Sequence, residues 1–170
     1  VRQALELAVE HYNAGRLSEA EAIYQQILQN ESSQPDAMHM LGVIAYQVGK
    51  YEAAEELMAR TISIQPNLAE AHCNLGLVLQ GLGKSNEAIN SYNKAITLIP
   101  DYIAALYNLA NLLRELDQLE EAETIYQKVV ELKPDHSKAH NNYGVLLREL
   151  GKFDDAVASF RQALIIDPNF

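Results

Sequence analysis

Prolines stand at Pro66, Pro100, Pro134 and Pro168, each 34 residues after the one before. A period of that length constrains the fold more than any local propensity, because it means that one supersecondary unit is copied and stacked. The same period carries Leu41, Leu75 and Leu109, with Tyr143 on the next turn. One step later come the small residues Gly42, Gly76, Ala110 and Gly144. Alanine recurs at Ala20, Ala54, Ala88, Ala122 and Ala156, and four residues after each stands Tyr24, Met58, Tyr92, Tyr126 or Phe160. Five units of 34 account for all 170 residues: 1–34, 35–68, 69–102, 103–136 and 137–170. They predict a single array over 1–170.

Each unit reads as two helices. In 103–136 the first carries Leu106, Leu109, Ala110, Leu112, Leu113 and Leu116, an apolar stripe at helical spacing. It stops at Asp117, where the other units have Gly15, Gly49, Gly83 and Gly151, as expected of a left-handed residue just past a helix end. The second helix begins near Leu119 with Glu120, Glu121 and Glu123, acids that suit a helix N-terminus. It carries Ala122, Ile125, Tyr126, Val129 and Val130 and ends before Pro134. Asn67, Asp101 and Asp135 stand where an N-cap for the next helix is wanted. A Gly or Ala on the first helix is expected to face the repeated Ala of the second, letting two backbones approach closely. One such hairpin cannot bury its own apolar faces, so each must lean on the next.

This pattern resembles the tetratricopeptide repeat family over the whole chain. The resemblance implies an all-α fold, a right-handed superhelical solenoid of antiparallel helix pairs. Repeat 1 departs furthest: Ser32 replaces the terminal proline, and Pro35 instead opens the following helix at a tolerated first position. Arrays of this family usually end in a solvating cap helix. The sequence stops at Asn169-Phe170 without one, so the last apolar face, including Val157, Phe160 and Leu164, is expected to be partly bare. With Val1 rather than Met at the start, this points to a piece of a longer protein.

In the family the first helices of successive repeats line a concave groove. In repeats 1 and 2 that implies an apolar and aromatic surface of Leu5, Val9, Tyr12, His39, Met40, Val43 and Tyr46. From repeat 3 onward it turns polar. Asn74, Asn108 and Asn142 share one position, and beside them fall Tyr107, Asn111, Arg114, Asn141 and Arg148. An amide offers a peptide unit both a donor and an acceptor, whatever side chains the peptide carries. Asparagine also costs roughly 0.5 kcal/mol relative to Ala inside a helix, so three in register ask for a reason. The alternative reason is a hydrogen-bond chain between helices that fixes their packing. The row resembles the superhelical arm of O-linked N-acetylglucosamine transferases, although Glu6 and Met40 interrupt it. A carboxylate clamp for chaperone tails needs Lys and Arg with asparagines between them; Lys138 and Asn108 fall on two of its positions, but Cys73, Leu77 and Asn142 stand at the others, so the basic partners are missing.

Charge and composition bound the rest. The net charge is −10, which makes nucleic acid a poor partner. The second helices hold twelve acids against four bases, which leaves the first-helix groove nearly neutral. The lone Cys73 rules out an internal disulfide and fits a reducing compartment, the cytoplasm. It reads as a small semi-buried hydrophobe at the groove edge. No apolar run approaches the ~20 residues that span a bilayer, so membrane insertion is not expected. His136 and His140 lie four apart but lack further ligands of fitting spacing, and His140 repeats the packing position of His72, so no metal site is expected. No phosphate loop, catalytic carboxylate pair or hydrolase elbow is present, and neither an enzyme nor a cofactor is expected. The expected function is a scaffold that holds an extended peptide or partner segment in the groove. Alternatives are the substrate-recruiting arm of a larger enzyme such as a glycosyltransferase, and a scaffold that self-associates end to end through its last helix.

Overall fold

The computed structural model describes residues 1–169. Among them the chain forms ten α-helices and no strand. They are α1 Arg2–Asn13, α2 Leu17–Asn30, α3 Pro35–Gln47, α4 Tyr51–Ile64, α5 Ala69–Gly81, α6 Ser85–Leu98, α7 Ile103–Glu115, α8 Leu119–Leu132, α9 Ser137–Glu149 and α10 Phe153–Ile166. The fold is all-α, in consecutive packed pairs. Contacts gather the helices into two compact units, one of Val1–Leu98 and one from Ile99 onward. In the first unit α1 packs on α2, α3 on α4 and α5 on α6, with α2 against α3 and α4 against α5. In the second unit α7 packs on α8 and α9 on α10, with α8 against α9.

Each first helix ends the same way. The chain turns through a residue of positive φ: Gly15, Gly49, Gly83, Asp117 and Gly151. Its N–H and the next bond back to carbonyls of the last turn, as in Gly15 to Tyr12 and Arg16 to His11, both 2.9 Å. This is the Schellman arrangement, which satisfies carbonyls a helix end leaves orphaned. Asp117, at φ 61°, makes the same two bonds without the freedom of glycine.

The links between repeats differ from expectation. Asn67, Asp101 and Asp135 are not N-caps, because the helices start later: the capping positions are Leu68, Tyr102 and His136. The acids and amide instead follow proline inside a turn, closed by Gln65 O accepting from Leu68 N–H, Ile99 O from Tyr102 N–H and Lys133 O from His136 N–H, each 3.1 Å. Side-chain caps are formed by Gln34 Oε1 and His136 Nδ1, which accept from Ala37 and Ala139 N–H. Pro35 occupies the first turn of α3, as its missing N–H allows.

The small residues also have a different partner from the one expected. Gly42, Gly76 and Gly144 face Met58, Tyr92 and Phe160 of the paired helix rather than the repeated alanine. A Cβ on Gly42 or Gly144 would lie 2.8 Å from that side chain. The small residue on one helix is thus the seat for the large one on the other. Tyr24, Met58, Tyr92 and Tyr126 are fully buried there, each stabilising the pair by roughly 1.5–3 kcal/mol through removal from water.

The stripe on α10 is bare as expected: Val157 and Leu164 are about half exposed, and Phe153 and Ile165 are 65% and 73% exposed, while Phe160 is half-buried. No helix among the described residues is long and apolar enough to cross a membrane.

Candidate functional site

In the second unit, α7 brings Tyr107, Asn108, Asn111 and Arg114 beside Asn141 and Asn142 of α9. All six are half-buried, and Arg148 of α9 is exposed. Asn142 Nδ2 donates to Tyr107 Oη and to Asn111 Oδ1, both at 2.9 Å. Asn111 Oδ1 also accepts from the Tyr126 hydroxyl. Asn141 Nδ2 reaches Asn142 Oδ1 at 3.4 Å. Arg114 pairs with Glu149 at 3.1 Å. Burial pushes the Tyr126 phenol up to about 12 against the pull of the Arg114 guanidinium. The phenol therefore stays a donor, and the network holds together at any physiological pH.

In the first unit the same logic recurs. Asn74 Nδ2 of α5 lies 2.9 Å from Nε2 of His39 on α3, and Gln47 Nε2 donates to Tyr12 Oη at 2.6 Å. Tyr46 packs beside Tyr51, with ring centroids 5.8 Å apart. Four of these links join residues 35 apart: Tyr12 to Gln47, His39 to Asn74, Tyr107 to Asn142 and Arg114 to Glu149. They tie one first helix to the next. The amides of Asn74 and Asn142 thus spend donors inside the protein and hold the surface in one geometry.

The first-helix surface of repeats 1 and 2 is less apolar than its sequence suggested. An open cleft of about 460 Å³ has an apolar wall of Leu5, Val9 and Met40 and a floor of buried Tyr24 and His39. Its rim carries three exposed carboxylates, Glu6, Asp36 and Glu70. The expected near-neutrality of the groove does not hold here, because three acids from three helices converge. Burial holds the His39 imidazole below its ordinary pKa, against the opposing pull of Glu70 and Asp36.

The remaining candidates have structural partners. His72 and His140 hydrogen-bond through Nε2 to the carbonyls of Pro66 and Pro134, at 2.9 and 3.0 Å. His136 caps α9 and stacks near Tyr107, centroids 5.0 Å apart. Cys73 is buried rather than semi-buried. Among the second-helix acids, Glu55 and Glu123 are bound by Lys84 and Lys152 at 2.7 and 2.6 Å. Sequence reasoning missed Gln47, Glu149, Asp36 and Glu70; a search at period plus one would have found the first two.

Paired helices at a fixed period, stitched through their first members, define a helical-repeat fold. Sequence models of the tetratricopeptide repeat match residues 11–75, 69–102 and 101–168, and the chain belongs to that family. No curated protein is a significant match by sequence. Among solved structures, a crystal structure of MamA superposes with a TM-score of 0.84 at 23% identity, covering 95% of each chain. MamA 41-end from Desulfovibrio magneticus RS-1 gives 0.86 at 20% identity, covering 99% of this chain and 95% of that one. YrrB, described as a TPR protein with an unusual peptide-binding site, gives 0.76 at 22% identity, covering 97% of this chain and 85% of that one. At such identities the likeness is one of fold.

Proposed function

We propose that the chain is a protein-interaction module that holds an extended segment of a partner against its first helices. The observation that carries this reading is the interlocked polar surface of α7 and α9. Asn142 bonds both Tyr107 and Asn111, Asn141 reaches Asn142, and Asn108 and Arg148 lie on the same two helices. Such a surface loses little side-chain entropy when a peptide docks, and it offers amides to a peptide backbone. The peptide-binding site named for YrrB supports the same use of the fold.

The test is partner capture from lysate by the full chain, beside an Asn108→Ala/Asn141→Ala/Arg148→Ala variant that keeps Asn142 and its bonds to Tyr107 and Asn111. A partner held by the first and lost by the second supports the reading. Equal capture by both moves the partner off this surface. A recruiting arm of a larger enzyme uses the same surface and differs only in the domain that its full gene would add. A self-associating scaffold draws support from the bare stripe on α10; a mass that stays monomeric at high concentration in light scattering would sink it.

A further inference from the structure

Three buried tyrosines occupy one register of the second helices, and their hydroxyls have different fates. Tyr92 donates to Gln80 at 2.5 Å, and Tyr126 donates to Asn111. Repeat 1 has Tyr12 where repeat 3 has Gln80, and Val9 where repeat 4 has Asn111. The Tyr24 hydroxyl is accordingly buried with no hydrogen-bond partner within the protein. Tyr24 lies on the floor of the cleft bounded by Leu5, Val9 and Met40. A buried polar group without a partner costs free energy, which sets repeat 1 apart from repeats 3 and 4.

The rim supplies the second feature. Glu6, Asp36 and Glu70 come from α1, α3 and α5, and no Lys or Arg lines the cleft. Glu6 is paired with Arg2 at 3.1 Å, both side chains largely exposed. Asp36 and Glu70 both sit in first turns. An apolar wall under a carboxylate rim fits a side chain with an aliphatic stem and a cationic head, which can lie along the wall while its charge reaches the rim.

We propose that this cleft seats an extended peptide segment rich in apolar and basic residues, with its apolar side chains on the wall of Leu5, Val9 and Met40 and its cationic side chains facing Asp36 and Glu70. The inference rests on the peptide-binding reading above and names the ligand class for the first unit.

Fluorescence anisotropy with the full chain tests it, using fluorescein-labelled hexapeptides of alternating Leu and Lys, Leu and Glu, or Leu and Ser. The Leu–Lys peptide binds, the Leu–Glu peptide does not, and the Leu–Ser peptide is about tenfold weaker. Asp36→Asn and Glu70→Gln each weaken the Leu–Lys peptide about fivefold. A Glu120→Gln/Glu121→Gln control, which removes acids of α8, leaves affinity unchanged. Equal loss in that control would reduce the binding to attraction by overall charge and overturn the proposal. So would equal binding of the Leu–Ser peptide, unchanged affinity in an Asp36→Asn/Glu70→Gln double variant, or a dimer in light scattering that Asp36→Asn dissolves. Failure here leaves partner capture on α7 and α9 standing, because that test changes none of these residues.

Discussion

Tyr24, Tyr92 and Tyr126 differ by a single bond, and their phenylalanine variants should separate accordingly. Tyr126→Phe removes a hydroxyl bonded to Asn111 and should cost about 0.5–1.5 kcal/mol in urea denaturation. Tyr24→Phe removes an unbonded buried hydroxyl and should leave stability unchanged or raise it; a loss comparable to that of Tyr126→Phe would show that the hydroxyl has a partner. Asp117 is the one non-glycine with positive φ among the described residues. Asp117→Gly should stabilise by about 0.5–1 kcal/mol, and no gain in the same denaturation would mean that Asp117 bears no strain. His39 carries a pH signature. Burial lowers its pKa from 6.5, so the unfolded chain takes up a proton more readily than the folded one. Its contribution to stability is complete above pH 6.5 and is lost as pH falls through the folded pKa. An NMR titration of the imidazole should give a midpoint below 6.5; a midpoint at or above it would mean that Glu70 and Asp36 outweigh burial.

At the scale of the element, the seat made by a small residue for a large one decides the packing of each pair. Gly76→Ala would drive a methyl into the Tyr92 ring. Alanine gains about 1 kcal/mol of helix propensity over glycine, yet the overpacking should leave a net loss of roughly 1–3 kcal/mol in the melting curve. A stabilised Gly76→Ala would show that the ring shifts freely. The helices themselves were legible in the sequence, because periodicity, chain-reversing glycines and acids at helix starts all report local physics. Pro35 opening α3 and the left-handed turn at Asp117 were legible for the same reason. The caps were not: whether Asn67 or Leu68 precedes the first helical turn depends on how the turn after Pro66 closes, a matter of one residue. The facing of Gly76 to Tyr92 rather than to Ala88 depends on how one helix is rotated against the other, which periodicity leaves open.

At the scale of the molecule, the family and the fold followed from the 34-residue period, whereas the chemistry of the surface did not. Asn142 was visible as a groove residue, but its commitment to Tyr107 and Asn111 needed three side chains placed in space. Asp36 and Glu70 share one repeat position, 34 residues apart, but their convergence with Glu6, four positions further along its own repeat, appears only after folding. The central claim is that a partner lies on the first helices, and amide hydrogen exchange of the full chain with and without its captured partner tests it most directly. The account predicts slowed exchange in the first helices: α7 and α9 for a partner on the second unit, α1, α3 and α5 for one on the first. Slowed exchange confined to α2, α4, α6, α8 and α10 would contradict it and place the partner on the acidic second helices.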